Sequence, residues 1–282
     1  MNVLYSGDAN ISDGVIISSL SLAQNVKEPL KIYIVTASLE WGGRIKSALK
    51  GDFASFLEDS LKKYNDSVSV ELIDISDSFK KQLPSANINS RFTPFCMLRL
   101  YADELERLPQ KILYLDNDVI CRKDPSEFYN QSMNNAELSG VLDYYGSWFF
   151  RQRFYKRDYL NSGVLLLNLE EIRKNGLFKK AREMCTKEKM FMPDQSALNK
   201  LCKNKIICHR KYNEQRILRN DTVFQHFTTS FRFLPYFHSV SVKPWNIEGM
   251  HNVLKLFEYD ELLEEYLKIK KIYQEEYNYE HQ

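Results

Sequence analysis

Lys111-Ile112-Leu113-Tyr114-Leu115-Asp116-Asn117-Asp118-Val119-Ile120 is the stretch on which the fold of this 282-residue chain turns. Ile112, Leu113, Tyr114 and Leu115 form a continuous apolar run, as a strand covered on both faces requires. It ends in two carboxylates, Asp116 and Asp118, two positions apart. On an extended chain such residues point to the same side. Both therefore sit at the carboxyl end of a buried strand, where open α/β sheets bind ligands. Two carboxylates that close repel unless a cation lies between them. A divalent metal answers that need, with a nucleoside diphosphate as natural co-ligand. An Asp-Asn-Asp turn in water would read the same way locally, so the surrounding chain has to decide.

Upstream, a short apolar run at Val3-Leu4-Tyr5 enters the turn cluster Ser6-Gly7-Asp8-Ala9-Asn10. Ser12 or Asp13 then caps an amphipathic helix reaching about residue 26. Strands are expected at residues 31–35 and 68–73, with a charged amphipathic helix over 44–63 between them. This β-α-β-α-β order predicts a doubly wound, mainly parallel sheet. The polar, Pro-containing residues 74–92 read as a loop over the site. Phe95, Leu98, Tyr101, Ala102 and Leu105 then follow a helical pattern with Arg99 off the apolar face, either solvated or contacting a sugar or phosphate.

Downstream, residues 138–142 form another strand ending at Asp143. Residues 144–158 mix aromatic and basic side chains, as a core-packed loop or an acceptor-binding lid would. Asn161-Ser162-Gly163 marks a bend before a buried strand over 164–169. Two short helices broken at Asn175-Gly176 follow, and Pro193-Asp194-Gln195 opens a further helix. Short strands are expected at residues 206–208 and 222–227. Lys243 is fixed before the stiff pair Pro244-Trp245, as a diphosphate anchor or a solvated lysine would be. In the last segment Leu262, Tyr266, Ile269 and Tyr273 form one stripe, for docking on the core or on a second copy.

Composition narrows the function. A net charge of +2 argues against nucleic-acid binding through an overall basic field. Five cysteines without a CxxC pair suit a reduced, cytoplasmic compartment. The first residues do not read as a signal peptide, and no apolar run approaches a bilayer-spanning length. P-loop, dinucleotide-binding, nucleophile-elbow and HExxH patterns are missing, so a bound phosphate would rely on metal and a few cations.

Taken in order, these features resemble the family 8 glycosyltransferases, the group with bacterial lipooligosaccharide galactosyltransferases and glycogenin. The resemblance spans about residues 1–250 and leaves 251–282 as a C-terminal helical extension. It rests on Ser6 to Asn10, Arg99, Leu115-Asp116-Asn117-Asp118, Asp143, Asn161-Ser162-Gly163, Asp194-Gln195 and Lys243-Pro244-Trp245. It implies a Rossmann-like GT-A fold, flanked by helices, that transfers a hexose, galactose or glucose, from a UDP-sugar with retention of configuration. The ion it implies is Mn²⁺, with Mg²⁺ as the alternative. Carried over, Asp8 and Asn10 hold uracil and ribose, with Ser6, Asn117 and Ser162 in the donor site. Asp116 touches ribose and metal, and Asp118 binds the metal. Arg99, Asp143, Asn161 and Asp194 hold sugar hydroxyls, Gln195 lies by the anomeric carbon, and Lys243 grips the diphosphate. The family's metal-binding His precedes its Lys by six residues, but position 237 here is Phe. His238 fits the spacing better, while His226-Phe227 fits the His-aromatic pair.

The acceptor expected from this resemblance is a glycan, lipid-linked or glycoprotein, met in the cytoplasm or at the inner face of the membrane. Retention by double displacement needs a carboxylate below the anomeric carbon, and Gln195 is a poor nucleophile. Front-face displacement is therefore expected. Two other readings share the carboxylate pair: a metal-dependent nucleotide-sugar hydrolase and a non-catalytic nucleotide-sugar-binding module.

Overall fold

In the computed structural model, which describes residues 1–90, 93–145, 158–232 and 238–277 without the side chains at 231, 232, 238 and 277, the early apolar runs form strands β1 (Asn2–Gly7) and β2 (Lys31–Thr36) with α1 (Ser12–Asn25) between them. Residues 44–63 depart from the single helix their charge pattern suggests. β3 (Leu39–Trp41) and β4 (Arg44–Lys46) form an antiparallel hairpin, and α2 is confined to Gly51–Leu61. Gly42 and Gly43 both take φ values above +60°, the left-handed turn geometry that a two-residue hairpin demands and a helix forbids. β5 (Ser69–Asp74) completes the alternation. The expected loop at 74–92 instead begins with α3 (Ser76–Lys81).

A 3-10 helix, Pro94–Glu104, leads into β6 (Lys111–Leu115), followed by β7 (Val119–Cys121) and α4 (Ser126–Asn130). After β8 (Leu138–Leu142), β9 runs from Leu160 to Asn168. Asn161, Ser162 and Gly163 thus lie inside the strand rather than in a bend before it. Residues 146–157, most of the aromatic-basic segment, fall outside the described residues. Helices α5 (Leu169–Asn175) and α6 (Leu177–Lys187) meet at Gly176, whose φ of 65° makes the break. α7 (Pro193–Leu201), β10 (Lys205–Ile207), β11 (Phe224–His226) and a hairpin of β12 (Ser230–Arg232) and β13 (His238–Val240) follow, with α8 (Asp260–Tyr277) at the end.

The main sheet has seven strands in the order β10-β8-β9-β6-β1-β2-β5. It is parallel except at β9, which pairs antiparallel with β6 and β8. The fold is thus the expected mainly parallel α/β sheet flanked by helices. Because β9 is reversed, its first residues share one edge with the carboxyl ends of β1, β6 and β8. That edge collects Asp8, Asp116, Asp143 and Asn161.

Alternation along the strands builds a core on each face. Val3, Tyr5, Ile34 and Leu113 meet α1 and α2 on one side. Leu4, Tyr33, Ile112 and Tyr114 meet the 3-10 helix, α6 and α7 on the other. α1 is buried from Gly14 to Ala23 because α8 covers its outer side, placing Leu263, Tyr266 and Ile269 in the same core. Buried serines of α1 stay hydrogen-bonded: Tyr5 donates to Ser18 at 2.8 Å, and the Cys121 amide donates to Ser21 at 2.9 Å. Tyr273 sets its ring 5.5 Å from Phe53 and 4.9 Å from Phe56. Among the described residues no helix is long and apolar enough to cross a membrane.

Candidate active site

Asp116 follows β6 directly, and its amide donates to Gly163 O of β9 at 2.8 Å, which carries the strand pairing into the Asp-Asn-Asp segment. Its Oδ1 accepts from Tyr114 Oη at 2.8 Å and from Arg99 Nη2 at 2.9 Å. Burial pushes the Tyr114 phenol well up, so it stays protonated and able to donate. With Oδ1 engaged by two donors, Oδ2 is the oxygen turned toward His226, 3.7 Å from Nε2.

Asp118 is more deeply buried than Asp116. Its Oδ1 lies 3.1 Å from His226 Nε2, and its Oδ2 accepts from the Lys243 ammonium. Burial would raise the Asp118 carboxyl, but its contacts, with the Lys243 ammonium the largest, outweigh it and hold the group well below the usual carboxylate range. The second antiparallel pair brings His226 there, because β7 and β11 register Val119 opposite His226. The family-like spacing to Lys243 is broken by the β12–β13 hairpin between them. Its base pairs Ser230 with Val240, and His238 lies two pairs further out, opposite Arg232. The His238 side chain lies outside those described.

Asp116, Asp118 and His226 offer ligand atoms that all lie within 4.8 Å of one another. In an octahedral shell with bonds of about 2.1 Å, neighbouring ligand atoms stand about 3 Å apart. The 3.1 Å separation between Nε2 and Asp118 Oδ1 fits that spacing, and the 3.7 Å separation from Asp116 Oδ2 is wider than it by about 0.7 Å. Two carboxylates and one imidazole suit a divalent cation. Gly163 makes room for the imidazole: a Cβ there would sit 2.7 Å from Asp116 Oδ2 and 2.8 Å from His226 Nδ1. Gly14, in the first turn of α1, does the same for Asn117 and Trp245, since its Cβ would meet Asn117 Nδ2 at 2.6 Å and the Trp245 ring at 2.8 Å.

Arg99 is buried, not solvated, because its 3-10 helix has apolar residues on every side. Its guanidinium joins both halves of the site. Nη2 reaches Asp116, Nη1 donates to Ser162 O at 2.6 Å, and Nε lies 3.2 Å from Asp194 Oδ2. The guanidinium also rests over the Tyr114 ring, 4.3 Å from its centre. Burial disfavours this charge, but Asp116 and its other neighbours hold it more firmly than usual. Asp194, in the first turn of α7, has its carboxyl raised by burial, an effect Arg99 only partly offsets.

Gln195 is locked from both ends. The Ser162 amide donates to Oε1 at 2.9 Å, and Nε2 donates to Asp143 Oδ2 at 3.2 Å. Asn161 Nδ2 donates to the same Asp143 oxygen at 2.9 Å. Ser6 Oγ lies 3.3 Å from Tyr114 Oη, and Asn10 Nδ2 donates to Asp8 Oδ2 at 2.6 Å at the end of β1. Asp116, Asp118, Asp143 and Asp194 outnumber Arg99 and Lys243 by two charges, the excess a divalent cation offsets. Sequence reasoning missed Tyr114 and Asn213 as parts of this site. Tyr114 reads as one more buried strand residue, and Asn213 has no distinguishing neighbour.

A sequence model described as Glycosyl transferase family 8 matches residues 2–249. The chain is 25% identical to a lipopolysaccharide 1,2-glucosyltransferase of Escherichia coli, over 96% of this chain and 86% of that one. It is 25% identical to a lipopolysaccharide 1,3-galactosyltransferase of Salmonella typhimurium, over 91% of this chain and 76% of that one. Among solved structures, the galactosyltransferase LgtC in complex with donor and acceptor sugar analogs superposes with a TM-score of 0.68 at 18% identity, covering 95% of this chain and 96% of that one. GlyE of Streptococcus pneumoniae superposes with a TM-score of 0.63 at 18% identity, covering 95% and 64%. With most of its length matched by the family model and its sheet shared with these GT-A structures, the chain belongs to glycosyl transferase family 8.

Proposed function

We propose that this protein transfers a hexose, glucose or galactose, from a UDP-sugar to a glycan acceptor of the lipopolysaccharide class, with retention of configuration. The observation that carries this reading is the convergence of Asp116, Asp118 and His226 at the sheet edge, with Lys243 against Asp118. These three side chains would hold Mn²⁺ or Mg²⁺, and the ion would supply Lewis-acid stabilisation of the departing diphosphate. His226 rather than His238 takes the third ligand position in this proposal. The relatives that act on lipopolysaccharide supply the acceptor class, and their two sugars bound the donor.

The chain's own residues orient and polarise. Lys243 stands where a diphosphate oxygen would replace or share Asp118 as its partner. Arg99, Asp143, Asn161 and Asp194 present buried, fixed polar atoms to the sugar hydroxyls. Gln195 turns an amide toward the anomeric centre. In front-face displacement the C1–O bond to UDP breaks while the acceptor oxygen bonds to C1 on the same face. The acceptor proton passes to the departing phosphate oxygen, and Gln195 steadies positive charge on the sugar. A cleft of about 300 Å³ beside Asp143, rimmed by Tyr144, Gln215 and Arg216, supports an acceptor entering on that side. The proposal places the enzyme on the cytoplasmic side of the membrane.

The deciding experiment incubates the protein with UDP-glucose or UDP-galactose, Mn²⁺ and truncated lipopolysaccharide core acceptors, and reads UDP release and product anomer. An α-linked product from one donor supports the reading. UDP release that is independent of every acceptor points to a hydrolase, and a trapped glycosyl-enzyme overturns front-face displacement.

A further inference from the structure

We infer that Asn213, buried between the two halves of the site, is a positioning residue that fixes the tautomer of His226 and ties the metal cluster to the sugar-binding amides. The inference rests on His226 being a metal ligand. Asn213 is 1% exposed, and its side chain touches His226 on one side and Asn161 on the other.

The polarity of this chain of amides follows from its ends. The Gly163 amide can only donate, and it lies 3.0 Å from Asn161 Oδ1. The Asn161 nitrogen therefore faces Asp143 Oδ2, 2.9 Å away. Asn161 Oδ1 also accepts from Asn213 Nδ2 at 2.9 Å, which leaves Asn213 Oδ1 facing His226 Nδ1 at 3.2 Å. An amide oxygen only accepts, so Nδ1 carries the proton. Turning Asn161 over would set donor against donor at Gly163 and oxygen against oxygen at Asp143, and turning Asn213 over would set oxygen against oxygen at Asn161. The order is thus dictated by one backbone N–H and one carboxylate.

In the neutral ring Nε2 then presents its lone pair to Asp118 Oδ1 at 3.1 Å and Asp116 Oδ2 at 3.7 Å. A lone pair facing two carboxylates is favourable only with a cation among them. Partners on the outer nitrogen of a metal-bound His set its tautomer and orientation in this way. Beyond Asn161 the same chain continues through Asp143 to Gln195 Nε2. A displaced His226 therefore disturbs the amide proposed to lie at the anomeric centre, and the reverse holds too.

The test uses ¹⁵N-His-labelled full-length protein at mildly alkaline pH with saturating Mg²⁺, the diamagnetic ion, and assigns His226 by its loss in His226→Gln. A ring with Nδ1–H and a bare Nε2 supports the inference. An Nε2–H tautomer, or a ring protonated at both nitrogens, overturns it without need of any variant at 213. Mn²⁺ affinity is then read by electron paramagnetic resonance in two variants. Asn213→Ala loses about 10–100-fold. Asn213→Asp keeps an acceptor for Nδ1–H, so it binds Mn²⁺ at least as well as the unaltered protein, yet loses kcat because the donor to Asn161 is gone. A role in packing alone would weaken metal binding and kcat together in both variants, and that result also overturns the inference. If the unaltered protein binds no Mn²⁺, the metal reading falls, while the nitrogen spectrum still decides the tautomer.

Discussion

Gly163→Ala is the sharpest perturbation the site offers, because one methyl group meets two of the three proposed ligands. The new Cβ would lie 2.1 Å from His226 Cε1, 2.8 Å from its Nδ1 and 2.7 Å from Asp116 Oδ2. Taking the tightest contact from 2.1 Å to an ordinary separation of 3.4 Å moves the ring by about 1.3 Å. The ring has little slack, since Nδ1 is bonded to Asn213 at 3.2 Å, near the outer edge of a hydrogen bond. The strand cannot retreat either, because Gly163 O accepts from the Asp116 amide. A displaced imidazole costs about 10–100-fold in Mn²⁺ affinity, or about 1.4–2.7 kcal/mol. Overpacking adds about 1–3 kcal/mol of lost stability, a fall of several degrees in Tm. The assay is Mn²⁺ titration by calorimetry or electron paramagnetic resonance, paired with thermal melts. In His226→Ala the clash with the ring is gone and only the Asp116 contact remains, so adding Gly163→Ala to that variant lowers Tm less than it does in the parent; the difference is the coupling to the ring. Mn²⁺ affinity within twofold of the parent in Gly163→Ala refutes the claim that this glycine exists to admit the ring.

Other outcomes follow from the same geometry. His226→Ala abolishes measurable Mn²⁺ binding and His238→Ala keeps most of it; equal and mild losses in both remove histidine from the metal shell. Arg99→Met leaves Asp194 and Asp116 without their buried partner and costs about 3–5 kcal/mol, seen as a lowered denaturation midpoint. An unchanged midpoint shows that Arg99 is dispensable to the fold. Asp194→Asn is the converse case. The carboxyl is raised by burial, so the folded state binds the proton more tightly than the unfolded one, and stability from this group falls as pH rises through the folded value. Asp194→Asn therefore gains stability relative to the parent from about pH 4 upward while losing transfer activity. A parent that stays the more stable of the two throughout that range shows that Arg99 offsets the burial fully.

What could be read from the sequence follows the range of the interactions. Strands β1, β2 and β6 announce themselves because each apolar run is buried on both faces and short turns bound it, while β5, half-buried at the sheet edge, shows through the alternation of Val70 and Leu72 with polar residues. The hairpin at residues 39–46 escaped because Arg44 and Lys46 fit the charge pattern of the helix that follows, and only the left-handed Gly42-Gly43 turn separates them. Arg99 looked solvated from its own helix alone. The helix is buried by α6, α7 and the sheet, which its periodicity does not encode. His226 posed the same difficulty, since its place depends on β7 and β11 pairing across a hundred residues.

The reversal of β9 matters most for the site, and nothing in residues 160–168 specifies it. Had β9 run parallel to β6, Asn161, Ser162 and Gly163 would lie at the opposite edge of the sheet from Asp116. Reversed, the strand supplies the Gly163 carbonyl that anchors Asp116, the Ser162 carbonyl that anchors Arg99, and the Asn161 amide that reaches Asp143. One antiparallel strand thus ties Asp116, Arg99 and Asp143 to the sheet rather than to a loop. The carboxylates of Asp116 and Asp118 are then held close together before any ion arrives, with Arg99 and Lys243 offsetting part of their repulsion. A divalent ion bound there would complete a charge balance that the fold has already set up.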